Sequence, residues 1–242
     1  KVNLTTVYTE KLDNKYAYIK IITFNYNTTS EFRQAVRKLD INKTKGIILD
    51  LRGDPGGLLY SSLIIADMFI DKGLLLSVKG RDSSLNTNYY ATGHTSINNN
   101  IPVVILVNNM TASASEIVSA ALQQNNRAIV MGQPSFGKGS VQTIYNLDDG
   151  SSAKITIQLF YTPNGDALQG VGVIPNILIS SEKKSPFYDI RENSYNNHLI
   201  VSHLREKNKP QLTINEKACK AYGKAKDKEI GSAISYLEGQ YK

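Results

Sequence analysis

The sequence is poor in the side chains that most often carry catalysis or bind metal. A single cysteine, Cys219, excludes an intrachain disulfide and any multi-cysteine metal site. Only three histidines occur, His94, His198 and His203. The last two are five positions apart, so they do not share a helical face, and no acidic neighbour completes a ligand set. Solvated polar positions are expected for all three, and neither a metal nor a cofactor is called for. No apolar run reaches 18 residues, which excludes a transmembrane helix in this chain. No signal peptide is recognisable, and the start at Lys1, mid-strand in character, reads as that of a trimmed or processed chain.

Charge is present in excess of one sign. Lys and Arg number 28 against 21 Asp and Glu, a formal charge of +7 with a pI near 9.3. The lysines are scattered, many of them toward the C-terminal end, and no stretch interleaves Arg with aromatics as a base-stacking platform would. A solvated basic surface is the expectation, and nucleic acid is not an expected partner.

At 242 residues, 41% apolar and 20% charged, the chain is an ordinary globular protein of one large domain or two small ones. Residues 16–24, YAYIKIITF, alternate as a strand, and a helix follows with Phe32, Val36 and Leu39 on one face, capped by Thr or Ser ahead of Glu31. KGIILDL (45–51) is a buried strand, followed by a helix over 58–70 and a strand over 74–79. The polar stretch 80–100 reads as a loop or hairpin. IPVVILVNN (101–109) is another buried strand, then a helix presents Ile117, Ala121 and Leu122, and strands follow at 127–131 and around VQTIYNL and SAKITIQLFYT. This alternation predicts an α/β fold on a largely parallel sheet. Residues 1–182 are expected to form the core, and 183–242, Lys- and Asn-rich and then helical over DKEIGSAISYLEGQ, a C-terminal extension.

Three loops follow buried strands: PGG at 55–57, TASAS at 111–115 and FGKGS at 136–140. In open α/β sheets ligands gather where loops leave the strands' carboxyl ends. GQPSFGKGS (132–140) has the Gly-four-Gly-Lys of a phosphate loop, but Gly139 stands where a Mg²⁺-binding Ser or Thr is required. The following VQTIYNL is β-branched and alternating rather than helical, which weighs against a nucleotide site. Ser113 sits at a strand-to-helix turn. It is either a helix cap or a nucleophile with the N–H of Ala114 beside it as an oxyanion donor.

No histidine lies in the three loops to serve as its base. Lys138 is the alternative. A lysine in water is almost fully charged at neutral pH, so a base role requires desolvation, which apolar walls around Phe136 would supply. Gln142, four residues on, can orient the amine without adding charge. Gly56 and Gly57 in PGG read equally as a plain turn or as a backbone amide aimed at a ligand.

GIILDLRGDPGGLL, ILVNNMTASASEIVSAALQQNNRAIVMGQPSFGKGSVQ and FYTPNGDALQGVGVIPNI resemble, in order and spacing, the carboxyl-terminal processing peptidases, or tail-specific proteases. That family's motifs run DLRxNPGG, SAS-A-S/A-EI, T/S-FGKGxVQ and YTPxGxxI/LQGxGIxP, and the 25-residue gap between Ser113 and Lys138 also matches. The resemblance implies a ClpP/crotonase-like core of ββα units and a serine endopeptidase working through an acyl-enzyme. Ser113 would be the nucleophile, Lys138 the general base, and Gln142 the residue that positions it. Ala114 with Gly56 or Gly57 would form the oxyanion hole. The substrate would be a protein, bound extended beside a strand and cut in or near its C-terminal region.

The resemblance also implies export to the periplasm or cell envelope, and it leaves a homo-oligomer open. Departures are Gly53-Asp54 before PGG, which adds a charge near the oxyanion loop, and Gln124 where many members have aspartate. The PDZ domain usual in the family has no room ahead of YIKIITF. A latent or non-catalytic peptide-binding module on the same fold is the alternative.

Overall fold

The computed structural model describes residues 4–180, 210–216, 221–223 and 227–240. Its elements, in chain order, are β1 (Val7–Leu12), β2 (Tyr16–Ile21), α1 (Thr28–Lys38), β3 (Gly46–Asp50), α2 (Leu59–Asp67), β4 (Leu74–Gly80), β5 (Thr87–Tyr90) and β6 (Val103–Val107). They continue with α3 (Ala114–Gln124), β7 (Ile129–Gly132), β8 (Ser140–Asn146), β9 (Ser152–Tyr161), β10 (Ile177–Ser180), β11 (Leu212–Asn215) and α4 (Lys228–Leu237).

Seven strands form one sheet in the order β1-β2-β3-β6-β7-β10-β11. Only the β1–β2 pair is antiparallel; the remaining pairs are parallel. Strands buried on both faces read as continuous apolar runs, and β3 and β6 show why. Ile47 and Leu49, with Val103, Ile105 and Val107, enter a core shared with Phe32, Leu63 and Ile117 of the helical layer α1–α3 and with Phe69 just beyond α2. Ile48, Val104 and Leu106 point the other way, onto Ile177, Ile179, Ala233 and Ile234. Helix α4 therefore covers the second face of the sheet. It starts at Asp227, whose side chain accepts from Ile230 N at 2.9 Å, and it packs so closely that a Cβ on Gly46 would lie 2.8 Å from Leu237 Cδ2.

A second sheet, antiparallel in the order β5-β4-β9-β8, stands beside the first. One of its strands, β5, lies inside the polar stretch 80–100. The expected mostly helical extension contributes, in its described part, both α4 and β11, which pairs in parallel with β10 at the edge of the main sheet. His198, His203 and Cys219 lie outside the described residues, and His94 is exposed. Helix α1 begins earlier than its sequence suggests, with Asn27 at its cap. Glu31 instead turns its carboxylate to Thr6 N at 2.7 Å and Val7 N at 3.0 Å, tying α1 to β1.

Candidate active site

Strands β3, β6 and β7 are parallel neighbours, so the loops leaving their carboxyl ends emerge side by side. Short bonds then lock the loops together. Thr111 Oγ1 donates to Leu51 O at 2.8 Å, Ala112 N to Asp54 O at 2.9 Å, and Phe136 N to Thr111 O at 2.8 Å. The PGG, TASAS and FGKGS segments thus meet in one place.

Ser113 holds φ 56° and ψ −115°, a conformation that costs a non-glycine residue roughly 1–3 kcal/mol and tends to persist at functional sites. It stands at the N-cap of α3, in a capping-box arrangement with Glu116. Glu116 does more than cap. Fully buried, its carboxylate accepts Ser113 N at 2.7 Å and Lys138 N at 2.8 Å. It also accepts Gly137 N at 2.6 Å and Ser135 Oγ at 2.5 Å. Burial raises its pKa above the ordinary value, and the four donors oppose that rise. One carboxylate therefore fixes the backbones of both Ser113 and Lys138. Sequence reading missed this role, although the Glu of SASEI was a visible signal.

Around Lys138 the chain alternates in burial: Ser135, Gly137 and Gly139 are buried, while Phe136 and Lys138 are exposed. A turn over 168–173 presses on the buried side. Gly170 N donates to Gly137 O at 2.9 Å, Gly139 N donates to Gln169 Oε1 at 2.9 Å, and Val173 N donates to Ser135 Oγ at 2.7 Å. A Cβ on Gly139 would sit 2.4 Å from Gln169 N, so only glycine permits this approach.

Among the described residues, the apolar walls expected around Lys138 are consequently absent. Packing claims the glycines on either side and turns Phe136, 42% exposed, and the lysine outward. No hydrogen bond among the described residues joins Lys138 to Ser113, and Gln142 Nε2 reaches Thr156 Oγ1 at 3.2 Å rather than the lysine.

The candidate oxyanion donors separate cleanly. Gly56 packs on the Ser113 turn: a Cβ there would lie 2.8 Å from Ala114 N and 2.9 Å from Ser113 Cβ. Its own N–H, however, is spent on Asp54 Oδ1 at 2.8 Å. Ala114 N, in the first turn of α3, and Gly57 N have no acceptor among the described residues. Those two amides remain available.

Behind the PGG loop lies an ionic cluster. Arg52 Nε and NH2 grip Asp50 Oδ1 and Oδ2 at 2.9 and 2.7 Å. Its far side grips Asp227 Oδ2 at 2.9 Å and also Glu229, at the start of α4. Tyr18 OH donates to Asp50 Oδ2 at 2.7 Å, and Lys20 Nζ lies 3.3 Å from the same oxygen. Burial alone would raise the Asp50 pKa, but Arg52, Lys20 and Tyr18 outweigh it and hold it below its ordinary value. The C-terminal helix is thereby strapped to the residues that lead into PGG.

The site is thus a strained serine at a strand-to-helix turn of an α/β sheet, with a lysine loop held to it by one glutamate. The sequence model of peptidase family S41 matches residues 15–179, and the chain belongs to that family. A carboxy-terminal-processing protease of Bartonella bacilliformis is 31% identical over 95% of this chain and 54% of its own length. A carboxy-terminal processing protease of Bacillus subtilis is 36% identical over 78% of this chain and 40% of its own. Among solved structures, a photosystem II D1 C-terminal processing protease superposes with a TM-score of 0.67 at 33% identity, covering 75% of this chain and 50% of that one. The chain spans about half the length of these relatives.

Proposed function

We propose that this chain is the catalytic core of a serine endopeptidase that cuts protein substrates in or near their C-terminal region. The observation that carries the reading is the Glu116 carboxylate, which holds Ser113 N at 2.7 Å and Lys138 N at 2.8 Å. A serine and a lysine from separate loops have no structural need to share one buried acceptor. They do need a fixed relation if one activates the other.

In the reaction, Lys138 Nζ takes the proton of Ser113 Oγ as the oxygen bonds to the scissile carbonyl carbon. The oxyanion accepts from Ala114 N and Gly57 N. The lysine then gives this proton to the leaving amine nitrogen as the C–N bond breaks; in the second step it takes a proton from water as that water attacks the acyl carbon, and it passes the proton to Ser113 Oγ as the ester C–O bond breaks. The exposed Lys138 acquires its dry surroundings only when an extended substrate lies over it and Phe136. Support for that pose comes from β8, an edge strand of the second sheet, unpaired on its outer side among the described residues, that begins two residues beyond Lys138. Gln142, on this strand, is then near enough in sequence to orient the amine in the loaded enzyme. The ββα reading of the fold, with residues 1–182 as core and 183–242 as extension, belongs to the same proposal.

An envelope or otherwise exported location, implied by the family resemblance, belongs to the same proposal. Among the described residues no helix is long and apolar enough to cross a membrane. The missing Ser113–Lys138 bond is the one observation that favours a latent peptide-binding module. The test is hydrolysis of a fluorescent casein by the native chain and by Ser113→Ala. Turnover by the native chain and none by the variant, at matching thermal midpoints, is expected. Equal turnover by the two would sink the dyad, and no turnover by either would leave the latent module.

A further inference from the structure

Asp54 is the buried ionisable group that the reaction above leaves unused. It is fully buried, and its two oxygens differ: Oδ1 accepts Gly56 N at 2.8 Å, whereas Oδ2 has no hydrogen-bond partner among the described residues. The same residue's carbonyl accepts Ala112 N at 2.9 Å and Ser115 Oγ at 3.2 Å, so Asp54 bridges the oxyanion loop to the nucleophile turn on both sides of Ser113. An orphaned buried carboxylate oxygen is costly when charged, and much less so when it carries a proton.

The charged groups packed around it are few. The Gly56 amide, the Ser115 hydroxyl and Lys20 on β2 pull Asp54 toward ionisation, in that order. Arg52 and Asp50 at the end of β3 are spent on one another and on α4. Glu116 on α3 is held by its own four donors. Burial is the largest influence and pushes the Asp54 carboxyl up to about 7.

We propose that Asp54 is a proton-governed positioning residue of the oxyanion loop, permissive when neutral and inhibitory when ionised. Neutral, it keeps Gly56 N on Oδ1 with the proton on Oδ2, and the loop presents Gly57 N to the substrate without a nearby negative charge. Ionised, it sets an unpaired anion beside the place where the tetrahedral oxyanion develops, and like charges in a dry site repel strongly. The consequence for rate is opposite to that of Lys138, which must lose its proton to act. This inference rests on the peptidase reading.

The test compares kcat/KM against pH for the native chain and for Asp54→Asn, which keeps the side chain's shape and removes its charge. The variant-to-native ratio is expected to climb about tenfold from about pH 5.5 to about pH 8.5, the factor that about 1.4 kcal/mol of relieved repulsion represents. A ratio that is flat with pH, or that falls toward alkaline pH, overturns the proposal. No turnover by the native chain at any pH overturns the peptidase reading instead. Carbon-13 NMR of native protein labelled at the aspartate carboxyls then decides the ionisation, and it also serves if Asp54→Asn fails to fold. A carboxyl that titrates near pH 7, with the Gly56 amide shifting at the same midpoint, supports the proposal. A carboxyl already ionised at about pH 5 overturns it.

Discussion

Asp50 and Asp54 lie four residues apart at the two ends of one short loop, both fully buried, and their environments are opposites. Asp50 meets a guanidinium in bidentate contact, an ammonium and a phenol; Asp54 meets one backbone amide, with the Ser115 hydroxyl nearby and no hydrogen bond to its second oxygen among the described residues. One is held below the ordinary carboxylate range and the other is pushed up to about 7. Burial is common to both, so burial does not decide their charge; the supply of partners does. The difference matches position. Asp50 lies where the loop must be anchored to the C-terminal helix, and Asp54 lies where the loop meets the candidate reaction centre. Glu116 is intermediate, with four hydrogen-bond donors but no cation.

The strongest way to break the contrast is to remove the cation from the satisfied end. Arg52→Ala leaves Asp50, Asp227 and Glu229 facing one another without their shared partner. Breaking a buried pair in this way costs about 3–5 kcal/mol, because an uncompensated charge remains. Urea unfolding is expected to show that loss, with the far-UV signal of α4 lost ahead of the main transition.

At the orphan end the same measurement changes sign. A carboxyl whose folded pKa exceeds its unfolded value contributes stability below the unfolded value and loses it as pH rises toward the folded one. For Asp54 that window runs from its ordinary value of 3.8 to about 7. Asp54→Asn is therefore expected to stabilise the chain increasingly over that window and to level off above it, by roughly 2–4 kcal/mol. Asp50, held low, contributes in the opposite sense: its stabilisation is lost as pH falls below the ordinary carboxylate range. A midpoint difference between Asp54→Asn and the native chain that does not vary with pH would erase the contrast. Glu116→Gln falls between the two. It sets an amide NH2 against N–H donors and is expected to cost roughly 1–3 kcal/mol. Turnover should fall more steeply than stability, because Ser113 and Lys138 both lose their common acceptor.

Much of this was legible in the sequence, for local reasons. Ser113, Lys138 and PGG each follow a run of apolar residues that can only be a buried strand, and loops at adjacent strand ends converge. Glu116 was hidden because a glutamate three residues after a serine reads as an ordinary capping box. Its other partners come from β7's loop, which only strand pairing brings near. Arg52 was hidden for a larger version of the same reason, since its partners Asp227 and Glu229 are 175 and 177 residues away. The exposure of Lys138 was misjudged because neighbouring apolar residues suggested walls, whereas Gly137 and Gly139 give their buried positions to the 168–173 turn. The second sheet was only partly foreseen, because β5 is made of polar and aromatic residues with a single half-buried position.

The smallest expected effect addresses the one group that both carboxylates feel. Lys20 Nζ sits 3.3 Å from Asp50 Oδ2 and donates to Arg52 O at 3.2 Å, and its charge also draws Asp54 toward ionisation. With its side chain 31% exposed, solvent screens it, and Lys20→Met is expected to cost no more than about 1 kcal/mol. The informative readout is the Asp54 titration. Removal of a nearby cation disfavours the anion, so the carbon-13 midpoint of Asp54 should move upward by a fraction of a pH unit. Asp50, still gripped by Arg52, should remain ionised across the same range. If Asp54 did not move, or moved down, the two ends of the loop would be electrostatically independent, and the contrast between them would owe nothing to a shared charge.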